Sequence, residues 1–400
     1  MTFDLTRASA IVKERYPEDE VQRMSYKNRA LFAMLEKDES FTGELMKVPQ
    51  QYGNPQNRST KFSQAKAGTS SSSYEAFKIE RVKNYSFASI DNETILATEN
   101  DDGAFLRALE SEMDGAFEAI ANDLGQTVWG DGTHTIGVIS AVNTTTKVIT
   151  LTNESDSVNF EVGMALEFSP NLTGTTVLSG SAVVSAVDRE NATVTYEGVV
   201  SGIAASDYIF PAGDKNSALS GVGAWIPYGS TRATKLAASY WGVTRTADPT
   251  RLGGWYKDFS TLPIEEALSK FVALLGREGA NPDVIFLNPM DWDELKRSLG
   301  SKVQYVNKMI AQVGFQGIQI VGYNGVLECY ADRWVPYGYA SVMQMNTWKL
   351  CSLGPVIRTF NTDGLLMLRS QTSDGVDIQI NSYAQLKCNA VGYNGWVKIR

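Results

Sequence analysis

Few side chains in this 400-residue chain can do covalent or acid–base chemistry, and their spacing does not assemble a catalytic set. The single histidine, His134, sits in GDGTHTIG, a loop-like stretch between a helical pattern and a strand pattern. One imidazole cannot build a His-rich zinc site, and no HExxH, CxxC, GxxxxGK or GxSxG run accompanies it. His134 is expected to be an exposed or locally bonded loop residue. Cys329, Cys351 and Cys388 are odd in number and fall in the last quarter of the chain, which reads as reduced core thiols and not a disulfide framework. The best carboxylate pair is Asp291 and Asp293 in NPMDWDELKRSLG. A capped helix accounts for it better: Asn288 is a good N-cap, Pro289 suits the first helical position, and early acids followed by Lys296 and Arg297 match the helix dipole. No catalytic residue, cofactor or metal is expected.

Composition narrows the function classes. Hydrophobic residues make up 43% of the chain and charged residues 20%, as in globular proteins, and the length suits two or three domains. The formal charge of -9 is the wrong sign for a dedicated nucleic-acid binder. The N-terminal residues lack a signal-peptide apolar stretch, and no run approaches the ~18–20 apolar residues that span a bilayer. A soluble, intracellularly made, multidomain protein with no membrane partner is the expectation.

The elements that would position any site differ sharply along the chain. Residues 17–40 carry Val21, Met24, Leu31, Met34 and Leu35 at the spacings of a short amphipathic helix. From about 45 to 90, two strand-like ends flank a Gly/Asn/Ser-rich middle, with its polar tip around 64–73. In YEAFKIERVKNYSFASI the apolar positions Phe77, Ile79, Val82, Tyr85 and Phe87 suggest one half of a long hairpin, with a slip at Arg81. This segment holds seven cations, Lys47, Arg58, Lys61, Lys66, Lys78, Arg81 and Lys83, against Glu75 and Glu80.

The next segment reverses the sign. Leu106, Leu109, Met113, Phe117, Ile120 and Leu124 step by three and four, which predicts a helix over 101–127. Its other face carries Glu110, Glu112, Asp114, Glu118 and Asp123. A cationic hairpin followed by an anionic rod suggests docking between copies by charge.

From 133 to 214 the composition turns to Val, Thr, Ser, Asn and Gly. VISAVNTTTKVITLT (138–152) resembles VVSAVDRENATVTYE (183–197), each reading as strand, polar turn, strand. A small β-barrel or sandwich is expected, with two cations, Lys147 and Arg189, against eight acids from Glu154 to Asp207. WGDGT and SALSGVGAWIP would join if it were removed, so it reads as an insertion. The remainder is α+β: LPIEEALSKFVALLG has one apolar face, PDVIFLNP is a buried strand, and the C-terminal strands return to a core, their Tyr and Trp read as packing residues.

This order of parts resembles the major capsid proteins of tailed bacteriophages, the Hong Kong 97-like fold. A short arm precedes a basic extended segment like that family's E-loop, and the acidic helix at 101–127 resembles its spine helix. WGDGT resembles the turn after the spine helix, PDVIFLNPMDWDELKRSLGS the strand–NP–helix segment of the axial domain, and GIQIVGYN with WVPYGYASVMQMNTWKL the late return to the peripheral domain. The resemblance covers most of the chain outside 133–214. It implies an N-terminal arm (1–44), E-loop (45–90), peripheral domain with spine helix (91–132), inserted β-domain (133–214), return to the peripheral domain (215–240), axial domain (241–350) and closing peripheral and axial strands (351–400). It further implies a non-enzymatic virion protein, assembled in the host cytoplasm into hexamers and pentamers of an icosahedral head. Its partners would be double-stranded DNA contacted non-specifically and scaffold, portal and decoration proteins. On that reading Arg58, Lys61, Lys66 and Lys78 would meet a neighbour's Glu110, Asp114 and Glu118. Relatives that join Lys to Asn covalently need a catalytic carboxylate; nothing places Asn389 or Asn394 near one, so that chemistry is not carried over. An encapsulin-type nanocompartment and a carbohydrate-binding virion adhesin are the competing expectations.

Overall fold

The computed structural model describes residues 25–91, 102–300, 304–310, 313–323, 325–360, 368–370 and 374–400. Most of the predicted segment 17–40 is therefore visible only from Ser25, as a short helix Ala30–Met34; Val21 and Met24 lie outside the described residues. The strands in chain order are β1 (Glu36–Asp38), β2 (Leu45–Gly53), β3 (Ser73–Glu80) and β4 (Val82–Asp91), then β5 (Gly137–Asn143), β6 (Val148–Leu151), β7 (Ala165–Ser169), β8 (Gly180–Asp188), β9 (Thr193–Val200) and β10 (Tyr208–Pro211). After them come β11 (Trp255–Asp258), β12 (Val284–Leu287), β13 (Gln304–Ile310), β14 (Val313–Gly322), β15 (Gly325–Ala331) and β16 (Tyr339–Met343). The last are β17 (Trp348–Ser352), β18 (Arg358–Thr359), β19 (Leu368–Arg369), β20 (Gly375–Cys388) and β21 (Gly395–Lys398).

Two sheets build the body. The first is organised on the long strand β20, which pairs with β17, β18, β19 and β4, with β1 outside β17. A 26-residue helix, Asp102–Thr127, lies across it. At 1.5 Å per residue this rod is about 39 Å long. The periodicity read from the sequence holds: Leu109, Met113, Phe117, Ile120 and Leu124 are all buried. The second sheet runs β11-β21-β16-β12-β15-β14-β13. It packs on the helix Ile264–Arg277, whose Ile264, Leu268, Phe271, Val272 and Leu275 form the expected apolar face. β21 inserts between β11 and β16, so the C-terminus closes a sheet begun far earlier in the chain.

The carboxylates weighed for catalysis are parted by the helix Pro289–Leu299. Asn288 caps it by accepting from the Met290 backbone N–H at 3.1 Å. Asp291 turns inward, fully buried, and accepts from the Gly338 N–H at 2.8 Å, while Asp293 faces solvent and pairs with Arg297. The three cysteines are buried thiols; burial pushes Cys351 up to about 11 and Cys388 up to about 12. Trp396 is fully buried, in keeping with its reading as a packing residue, whereas Tyr393, read the same way, is 39% exposed.

Residues 137–211 form a closed barrel, β10-β5-β6-β9-β8-β7. The sequence repeat is a structural repeat to the level of single hydrogen bonds. Ser140 and Ser185 both sit at register breaks, between Ile139/Ala141 and Val184/Ala186. Asn143 accepts from the N–H of Thr145 and Thr146, and Asp188 from those of Glu190 and Asn191. Lys147 and Ala192 take the same left-handed backbone, φ 55 and 51. The third strands follow the rule as well: β10 meets β5 through Tyr208↔Val138, and β7 meets β8 through Ala165↔Val183. The barrel is two three-strand units related by a local pseudo-twofold axis.

One hub fastens the arm to both sheets. Arg29, 1% exposed, donates to Glu118 at 2.7 Å and Asn122 at 2.6 Å on the long helix, and to the backbone carbonyls of Ser25 and Lys27. Arg333 donates to the same Asn122 oxygen and stacks on Trp334, 4.1 Å from guanidinium carbon to ring centroid. Trp334 lies against Gly125: a Cβ there would sit 2.6 Å from the indole and 3.1 Å from the Arg29 Cδ. Gly125→Ala should therefore lower the thermal midpoint. The overpacking cost of about 1–3 kcal/mol exceeds the roughly 0.5–1 kcal/mol that alanine gains over glycine in a helix. A midpoint unchanged or raised in a thermal melt would contradict this packing.

Candidate assembly interface

The hairpin begins where Arg81 stops it. Its guanidinium donates to the carbonyls of Phe41 and Gly43 and lies 4.8 Å from the Phe41 ring centroid. Before this residue β3 returns antiparallel on β2; after it β4 leaves to pair along β20 from Asp91↔Gly375 to Val82↔Ala384. The expected single half-hairpin over 74–90 is thus two strands in different sheets, because the slip at Arg81 is a change of partner.

The root of the hairpin is anchored. Val48, Phe77 and Ile79 are fully buried, with Phe77 5.1 Å from Trp225 and 6.0 Å from Tyr240 between ring centroids. Gln50 donates to the Cys388 carbonyl at 2.7 Å, and Arg251 to the Tyr52 carbonyl at 2.7 Å. The far part, 54–72, buries no side chain. It holds its shape by local bonds, Gln56 N–H to Ser70 Oγ at 2.8 Å and Thr69 Oγ1 to the Lys66 carbonyl at 2.8 Å, around a short helix Phe62–Ala67. Phe62 is 82% exposed, with Arg58, Lys61 and Lys66 exposed around it; Lys78 is exposed nearer the root. An exposed aromatic ring with cations close to it in sequence has the composition of an interaction patch.

On the long helix, Asp114 and Glu118 are exposed and Glu110 is half-buried. Glu118 already holds Arg29 of its own chain, a use the sequence did not reveal because the partner lies 89 residues away. Asp123 is engaged too, with His134 Nε2 at 2.7 Å and with the Asn84 amide. Of the two expectations for His134, exposed or locally bonded, the second holds: it is a loop residue whose side chain is 7% exposed and bonded to the long helix.

Tyr85 and Phe87, apolar positions of the expected hairpin half, form a surface that the alternation did not reveal: Ala88 and Ile90 face the core while Tyr85 and Phe87 (58% exposed) face out. Tyr85 packs edge-on to Tyr383 at 5.9 Å, giving the sheet an open aromatic strip. Among the described residues no group of three or more His, Cys, Asp or Glu is placed to hold a metal ion, and no helix is long and apolar enough to cross a membrane.

Neither a protein-family model nor a curated protein matches this chain. Solved structures similar to it are shells. One is the cyanophage A-1(L) capsid, with a TM-score of 0.49 and 10% identity over 92% of this chain and 91% of that one. Another is the capsid of a native GTA particle, at 0.47 and 8% over 93% and 90%. A third is the SrpI encapsulin complex of Synechococcus elongatus, at 0.44 and 8% over 93% and 87%.

The contact of His134 with the long helix sets a pH dependence. Burial lowers its pKa, but the hydrogen bond and charge of Asp123, with Asp214 nearby, outweigh burial and leave it above 6.5. A raised histidine pKa contributes stability that is complete below 6.5 and lost as pH climbs through the folded-state value. As the chain has one histidine, its imidazole resonance should titrate above 6.5 by NMR. His134→Gln should erase the fall in urea midpoint between about pH 6 and 8. A titration midpoint at or below 6.5 would contradict the geometry.

Proposed function

We propose that this chain is the major shell protein of a phage-type capsid, closing as hexamers and pentamers into an icosahedral head around double-stranded DNA. The observation that carries the reading is the hairpin, rooted in the body through Phe77 and Gln50 while its tip leaves Phe62 and three cations exposed among the described residues. The ordered parts support it: an arm fixed by Arg29, the hairpin as E-loop, a 26-residue helix across a sheet as the spine, and a second sheet with two helices as the axial domain. Their order along the chain is the support for this assignment of parts.

The barrel is an insertion on this reading. The chain leaves and re-enters the body at one place, with the Asn216 N–H on the Thr133 carbonyl at 3.0 Å and the Val222 N–H on the Val128 carbonyl at 2.7 Å. Its acidic surface suits the solvated outside of a shell better than the side facing DNA.

Replacing 54–72 by Asn-Gly, a two-residue turn that Gly53↔Ser73 pairing accepts, removes the tip and leaves the root. The variant should keep its thermal midpoint within a few degrees, since the segment buries nothing, and should form no closed shells by negative-stain microscopy. The wild-type chain should form uniform shells, and those isolated from their source should contain DNA. Normal shells from the tipless variant would overturn the proposal, and an enzyme inside native shells would assign them to a nanocompartment.

A further inference from the structure

The pseudo-twofold of the barrel creates two equivalent outer faces with unequal surroundings. On the first unit, Val138 of β5 is half-buried and turned to the chain's own body. There it lines a cleft of about 340 Å³ with the aromatic side chains of Trp129, Tyr228 and Trp334. The equivalent residue on the second unit, Val183 of β8, is 42% exposed. Its cross-strand neighbours extend the patch: Val199, 75% exposed, opposes Ser181 two residues along the same face, and Val162 is exposed at the edge. Glu197 lies directly opposite Val183, and Glu161 borders Val162, so the apolar patch has an acidic rim.

We propose that this second face receives the hairpin tip of another copy of the chain, Phe62 seating on Val183 and Val199 while Arg58, Lys61 and Lys66 meet Glu197, Glu161 and their acidic surroundings. The contact rests on the assembly reading above and names the landing surface within it. Three observations converge on that occupant. On the first unit the equivalent Val138 borders a cleft that Trp129, Tyr228 and Trp334 also line, beside polar groups such as Asp156 and Arg333, and Phe62 is the tip's exposed ring. The signs match, a cationic tip against a barrel with two cations and eight acids between residues 147 and 207. The alternative acidic surface on the long helix has Glu118 and Asp123 already engaged within the chain; on the barrel Glu161 pairs with Arg189 at 3.3 Å, and Glu197, with no ion pair among the described residues, is the rim acid left open. Small patches of this kind gain specificity from one anchor ring enclosed by charge, with the charges screened as salt rises.

The test uses the full-length chain with a benzophenone amino acid in place of Phe62, which keeps an aromatic group there. The variant is assembled, irradiated and mapped by mass spectrometry. Attachment to residues 162–165, 181–183 or 197–201 of a different copy is expected. Attachment to the open sheet strip at 83–89 or 379–383, or to the long helix, would overturn the contact while leaving the shell reading intact. A second measurement guards against misassembly of the labelled chain. In Phe62→Cys/Val199→Cys, oxidation should give interchain ladders on non-reducing gels at least tenfold more abundant than in either single variant, the native thiols being buried. Shells without ladders would also overturn it, and no shells from the unmodified chain would sink the assembly proposal itself.

Discussion

The hairpin spends its stabilising contacts at one end. Phe77, packed on Trp225 and Tyr240, and Gln50, bonded to the Cys388 carbonyl, hold the root to the body, while the residues from 54 to 72 bury no side chain. Fixing a residue's backbone costs about 1–2 kcal/mol, and a segment without a core has only local hydrogen bonds to set against that sum. On the proposed reading, Phe62 with Arg58, Lys61 and Lys66 finds its counterpart on another copy, and the body supplies the rigid root that such a projecting element requires.

Rigidity comes from the meeting of arm, helix and second sheet. Two arginines, Arg29 and Arg333, share one oxygen of Asn122, and Trp334 fills the space that a glycine leaves at position 125. The arrangement joins residues about 30, 120 and 330 positions along the chain into one block, so force on the arm is felt by the helix and the second sheet together. The barrel is joined differently, through paired crossing points at Thr133 and Val128 and through the His134–Asp123 contact. It is thus a closed barrel clasped to the long helix, with the same register break and turn pattern in each half.

Much of this was legible in the residues. The apolar steps of the long helix, the repeat that became the barrel, the Asn288–Pro289 cap and the apolar face of 264–277 are local patterns, and local patterns survive into the structure. What was hidden depends on partners distant in sequence. Arg81 looked like an irregularity in one strand, and is the point where the chain changes sheets. Tyr85 and Phe87 kept the alternation yet face outward, since a one-residue slip reverses every side chain beyond it. His134 is the loop residue expected, but its partner Asp123 belongs to the preceding helix and was not readable. Among the proposed interface residues the basic tip was readable as an exposed charged flap. That Glu118 serves Arg29 was not, as no pattern links positions 29 and 118.

The most direct test is a cryo-electron microscopy reconstruction of particles assembled from the unmodified chain, traced through residues 54–72. The account predicts closed shells in which this segment lies on the surface of an adjacent copy, with the Phe62 ring enclosed. A reconstruction with the segment folded onto its own subunit, or standing in solvent without a neighbour, would contradict it.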